Sequence, residues 1–169
     1  MYGDGRRKAL IWILVFGLSV MIGATTRGLG MNQSELQLMA NERMLDAAAL
    51  IAGNRWAYAY YVAGYAVECA LKSCVLSRMI HTGGIFTDKK FSEKCWTHDF
   101  GELVELAGLK PELNQQLANS PAFAGNWGTT ATWKETSRYE QKTEPESRLL
   151  YEAINHNSDG VLKWIRNYW

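Results

Sequence analysis

No stretch of this 169-residue chain alternates apolar and polar residues with a strand's period, and no hairpin signal occurs, so a β-sheet has nothing to be built from. Phosphate-binding glycine loops, HExxH, nucleophile elbows and EF-hand loops are missing too, which removes the enzyme and sensor classes those motifs mark. Cysteine is scarce and odd in number: Cys69, Cys74 and Cys95, with no CxxC or Cys/His zinc spacing. Cys69 and Cys74 are five apart in an apolar run, well over a turn on a helix. They read as buried thiols of a reducing cytoplasm, and no metal or cofactor is expected. The three histidines, His81, His98 and His156, are scattered, so no Ser/His/Asp order can be argued. Internal repeats and low-complexity segments are also absent.

Charge of one sign is lacking as well. The total is +1, but the first thirty residues carry Arg6, Arg7, Lys8 and Arg27 against Asp4, a net +3, which leaves −2 for the rest. A mildly acidic body gives no case for a general DNA-binding protein, which needs clustered Lys and Arg. A local basic groove is still compatible with that sum. Abundance lies elsewhere: 47% of residues are hydrophobic, with seven Trp and eight Tyr, enough for a real core and for aromatic packing or stacking.

Arg6-Arg7-Lys8 precedes an apolar stretch from Ala9 to about Thr26. Residues 1–30 therefore read as an apolar leader, which would add an N-terminal helix to the fold. Three readings stand: a membrane anchor formed by residues 9–26 on the inner face of the cytoplasmic membrane, a signal peptide, or a start that belongs at Met31. Free thiols speak for the cytoplasm. Residues 31–169 are the body. Its first helix is predicted over Glu35 to Ala52, opened by a Ser34–Gln37 capping box and closed by Gly53-Asn54. Leu38, Leu45, Ala48, Ala49 and Ala52 are expected to line its inner face, and Glu42, Arg43 and Asp46 to face water.

A longer helix is predicted from Arg55 to about Ile80, apolar nearly all round and so central to a bundle. A stripe of Tyr61, Tyr65, Glu68 and Lys72 interrupts it at offsets of four, three and four, with Glu68 and Lys72 a favourable ion pair. His81-Thr82-Gly83-Gly84 breaks this helix. Thr97 then caps a helix from His98 to Ala107, Gly108 stops it, and Pro111 opens a short one to Asn119. Ser120 to Glu144 reads as a loop whose Trp127, Trp133 and Tyr139 pack down or stack on a base. A last helix is expected from Pro145 to Trp169 with a core stripe that includes Leu149, Leu150 and Ile154, loosened by Gly160. The fold class is all-α, an antiparallel up-and-down bundle of four to five helices.

The string Tyr65-Ala66-Val67-Glu68-Cys69-Ala70-Leu71-Lys72, with the tyrosines before it, resembles the second-helix signature of HEPN domains. These are helical bundles of prokaryotic toxin–antitoxin and defence systems. The Glu42, Arg43, Asp46, Ala47 pattern, Thr97-His98-Asp99, and Trp133 followed by Arg138-Tyr139 agree with it over about Leu36 to Ile165.

The resemblance implies a HEPN-type nucleotide- or RNA-binding component of a bacterial defence or toxin–antitoxin system. Many such proteins are metal-independent ribonucleases whose Arg and His, four to six residues apart, are brought together by two subunits. His moves protons at the ribose 2′-OH and leaving oxygen, and Arg holds the phosphate. Here the candidates are Arg148 and His156, with seven residues between them, a degenerate spacing that puts them about 12 Å apart on one helix. Glu68, Lys72, Tyr65 and Arg138 are the candidate binding residues. The alternative is a non-catalytic interaction module paired with a nucleotidyltransferase. A homodimer is expected, with a nucleotidyltransferase or antitoxin as partner and RNA or a nucleotide as ligand.

Overall fold

The computed structural model describes residues 32–81 and 94–169, so the expectations about the leader and about Thr82-Gly83-Gly84 lie outside the described residues. Its elements are α1 (Gln33–Ala52), α2 (Trp56–His81), α3 (Phe100–Ala107), α4 (Lys110–Asn119) and α5 (Pro121–Ala131). A 3-10 turn (Glu135–Tyr139), α6 (Glu144–Asn155) and α7 (Val161–Ile165) follow. Among the described residues there is no strand, as the missing period-two pattern requires, and no helix long and apolar enough to cross a membrane.

α2 packs against α1, α3, α6, α7 and the 3-10 turn. Ala59, Ala63, Ala66, Val67, Ala70, Leu71 and Cys74 are buried on its several faces, so the all-round apolar pattern does mark the centre of a helical bundle. Small side chains are the reason: Ala40 and Ala47 of α1 are likewise fully buried, and alanines let two helix axes approach closely.

The expected face of α1 is corrected. The buried stripe is Leu36, Ala40, Met44, Ala47 and Ile51, while Leu38 is 58% and Leu45 72% exposed, with Ala49 and Ala52 also outside. α1 carries two apolar stripes, and the one that faces the bundle sets Ala40 and Ala47 between Leu36, Met44 and Ile51. Its cap is a correction as well. Asn32 and Glu35 form the capping box, Glu35 N–H donating to Asn32 Oδ1 at 2.9 Å and Asn32 N–H to Glu35 Oε2 at 3.0 Å. Asn caps as well as Ser, and a carboxylate suits the helix N-terminus better than an amide. Gly53 and Asn54 end the helix as expected, with the left-handed position taken by Asn54 (φ 58°).

Ser120–Glu144 is not a loop. Ser120 accepts from Phe123 N–H at 3.0 Å and Pro121 follows at the helix start, which makes α5 despite Gly125 and Gly128. Burial of Phe123 and Thr130 against the bundle outweighs the glycines' low helix propensity. Asp99 rather than Thr97 caps α3, accepting from Glu102 N–H at 3.1 Å. The last helix is two helices. α6 opens at a Thr143–Glu146 capping box and ends at Asn155. After a turn over His156–Gly160, α7 buries Val161, Leu162, Trp164 and Ile165. Gly160 is required at that turn, because a Cβ there would stand 2.4 Å from the His156 carbonyl oxygen. Leu149, expected in the core, is exposed.

Candidate functional site

The break at His156 separates the pair that the HEPN resemblance singled out. His156 lies beyond α6, in extended geometry (ψ 135°), and its Nδ1 accepts from Asp159 N–H at 3.2 Å. Arg148 stays on α6. Its Nε donates to Glu144 at 2.7 Å and its guanidinium lies 5.2 Å from the Trp56 ring centre. The expectation of both groups on one face of one helix is therefore corrected: Arg148 belongs to the start of α2, and His156 to a turn beside Lys163 and Arg166. A turn wins here because Gly160 costs a helix more than any other residue at hand, while α7 gains a buried face by folding back.

Around Trp56 the structure builds a groove of about 420 Å³ that includes Arg55, Trp56, Tyr58, Arg138, Tyr139 and Lys142. Arg138 pairs with Glu135 and lies 4.9 Å from the Tyr139 ring centre. Lys142 pairs with Glu140 at 2.7 Å and sits 4.7 Å over Tyr60; the Glu140 contact raises its pKa. Arg55 makes no ion pair with a described residue. Tyr139 is 79% exposed, so of the three aromatics expected in the 120–144 segment only this one stays in water. Trp133 is buried and Trp127 packs edge-on to Trp164.

From the groove a tyrosine row runs along α2. Tyr58 and Tyr61 have ring centres 6.0 Å apart, and Tyr61 stacks on Tyr65 at 6.1 Å. Beneath it, Trp133 stacks on Phe100 at 5.2 Å and covers Gly64, where a Cβ would stand 2.2 Å from the indole. Glycine at 64 is what lets the tryptophan lie flat on the helix. Burial pushes the Tyr65 hydroxyl up to about 12, with the Cys69 thiol and Glu68 carboxylate adding to the effect, so the phenol stays protonated. Cys69 is raised to about 11 and Cys74 to about 12, both chiefly by burial, which keeps them thiols.

One turn further lies the Glu68–Lys72 pair, Nζ to Oε1 2.8 Å. The sequence predicts this contact. It does not predict that Glu68 is only 2% exposed, nor that His98 Nδ1 stands 2.9 Å from the same oxygen. Thr97-His98-Asp99 stood out as a helix start and as part of the family resemblance, but thirty residues separate His98 from Glu68, so no local spacing could pair them. Oε2 of Glu68 is buried without a hydrogen-bond partner among the described residues. No group of three His, Cys, Asp or Glu among the described residues could hold a metal ion.

No family model, curated protein or solved structure matches this chain. Geometry therefore carries the functional argument.

Proposed function

We propose that this chain is a HEPN-type up-and-down bundle that binds RNA or a nucleotide as a component of a bacterial defence or toxin–antitoxin system. The groove carries the proposal. Arg55, Arg138 and Lys142 supply cations for phosphates, and the exposed Tyr58 and Tyr139 supply faces for bases, the combination that single-stranded nucleic acids need. Binding is expected to outlast catalysis, because Arg148 and His156 lie on different elements and cannot share a phosphate within one subunit.

The test is fluorescence anisotropy of the full chain with a labelled single-stranded 12-mer RNA, and competition by AMP and ATP, at low salt. Weak binding should appear and should weaken in Arg55→Glu and Arg138→Glu, each lowering the salt dependence by about one charge. Binding that neither variant alters would remove the groove from the argument, and no binding to any of the probes would refute the reading.

One observation favours the second reading, an interaction module. The outward stripe of Leu38, Leu45, Ala49 and Ala52 on α1 is an apolar surface at helical spacing. A second copy of the chain, or a nucleotidyltransferase or antitoxin, would cover it. Sedimentation showing a dimer that Leu45→Asp converts to monomer would support self-association. A monomer at tens of micromolar would remove the homodimer.

A further inference from the structure

Around the groove most cations are already neutralised: Arg138, Lys142 and Arg148 each meet a glutamate. Beyond α6 the balance differs. The turn after Asn155 and the start of α7 enclose a second, smaller cavity of about 140 Å³, whose lining includes Asn155, His156, Asn157, Lys163 and Arg166 and holds no Asp or Glu. Lys163 Nζ donates to the Asn157 carbonyl at 2.8 Å, and Arg166 donates to Asn41 Oδ1 at 2.6 Å. Both acceptors are neutral, and neither cation has an ion-pair partner among the described residues. The Trp169 ring, 5.7 Å from the Arg166 guanidinium carbon, steadies that side chain without cancelling its charge.

His156 adds a donor. Its Nδ1 accepts from Asp159 N–H, so the neutral ring carries its proton on Nε2, which has no partner among the described residues. Asp159 is the acid of this turn, but its two carboxylate oxygens accept from Ser120 at 2.8 Å and Ser158 at 2.5 Å, and it does not line the cavity. Two full positive charges and an N–H donor therefore converge with no counter-charge between them. Size narrows what could supply one. At about 30 Å³ per water the cavity has room for about four or five waters, enough for one small oxyanion, whereas sites for drug-sized ligands start at about 300 Å³. The lining has no aromatic side chain on which a base could stack.

We propose that this cavity binds a tetrahedral oxyanion of the phosphate class, held by Lys163, Arg166 and the Nε2–H of His156. Arginine presents a fork of N–H donors that matches two oxygens of such an ion, lysine supplies a mobile point charge, and the imidazole completes the cage. Free inorganic phosphate and the terminal phosphate of a nucleotide share this chemistry, the base of the latter staying outside the cavity. The site is separate from the groove and does not rest on its RNA reading. Arg166 also holds Asn41 of α1, so a bound oxyanion ties α1, the turn and α7 together. Both cations are exposed, which makes the affinity weak and sensitive to salt, with a Kd of about 1 mM.

The experiment titrates the isotope-labelled full chain with inorganic phosphate, ionic strength being held constant with chloride, and follows the backbone amides by NMR. Amides of residues 156–160 and 163–166 should shift and saturate at millimolar phosphate. Lys163→Gln and Arg166→Gln should each weaken half-saturation about tenfold, and Lys163→Arg should retain it. Should Arg166→Gln unfold through loss of the Asn41 contact, Lys163→Gln, a change at an exposed side chain, decides. Phosphate strengthens burial in any protein without saturating, so a linear drift of these amides, or saturation unchanged in Lys163→Gln, overturns the inference. AMP that moves the same amides and is displaced by phosphate makes a nucleotide's phosphate the source; phosphate that binds where AMP does not makes it the free ion, and either result supports the site. Saturation at the turn in a chain that binds no RNA upholds this site while removing the groove reading, and RNA binding with no phosphate effect at the turn does the reverse.

Discussion

His98 and His156 are both half-exposed imidazoles beside a carboxylate, yet they are held in opposite ways. Glu68, which grips His98, is buried on the central helix at 2% exposure. Asp159, beside His156, lies 3.9 Å away in a surface turn and spends its own oxygens on Ser120 and Ser158. Those two hydroxyls hold the Asp159 carboxyl below its usual range, and His156 contributes less. A carboxylate orients a histidine when burial leaves it few alternatives; at the surface it serves the turn instead.

The sharpest way to break this comparison is Glu68→Ala. Removing one partner from a buried ion pair costs about 3–5 kcal/mol, against about 0–1 for an exposed pair. Urea unfolding should therefore place Glu68→Ala at the high end; a loss under 1 kcal/mol would put Glu68 in water and dissolve the distinction. Gly64→Ala comes next. Its Cβ would collide with Trp133, and overpacking of this kind costs about 1–3 kcal/mol, so Tm should fall and Trp133 fluorescence should shift toward that of exposed indole. An unchanged emission would mean that the indole has room to lift.

Asp99→Ala removes the α3 cap next to His98 and should cost about 1 kcal/mol at neutral pH. Hydrogen bonding from Glu102 N–H, then Lys134, holds the Asp99 carboxyl below its usual range. Its stabilisation is accordingly present above the ordinary aspartate pKa of about 3.9 and is lost as pH falls through the lower folded value. The gap between wild type and variant should close in acid, and a gap constant with pH would show that Asp99 acts by packing alone. Smallest of all should be His156→Ala, within about 0.5 kcal/mol, because its contacts are local to an exposed turn. A larger loss would raise His156 to the rank of His98.

The helix ends that were readable were those whose chemistry is local. Gly108 (φ 73°) stopping α3 and the Glu68–Lys72 pair follow from residues within one turn of each other. Where two local solutions competed, spacing was insufficient. Ser34–Gln37 and Asn32–Glu35 both spell a capping box, and the two apolar stripes of α1, one through Leu36 and Ala40 and one through Leu38 and Leu45, both have helical period. Glycines misled twice in opposite directions: Gly125 and Gly128 suggested a loop within what is α5, and Gly160 suggested a loosened helix where the chain turns outright. Of the candidate site, Glu68, Lys72, Tyr65 and Arg138 could be nominated from the chain, but not the company each keeps.

Helix content, the central place of the Trp56–His81 helix and the stripe along it follow from the chain alone, because periodicity and capping act over three or four residues. Packing chose which of two apolar stripes of α1 faces inward, and folded α7 back after Gly160 to bury Trp164. It also decided that His98, rather than His156, meets a buried carboxylate. That last contact joins residues thirty apart in the chain, and only the packing of α3 on α2 brings their side chains within 2.9 Å.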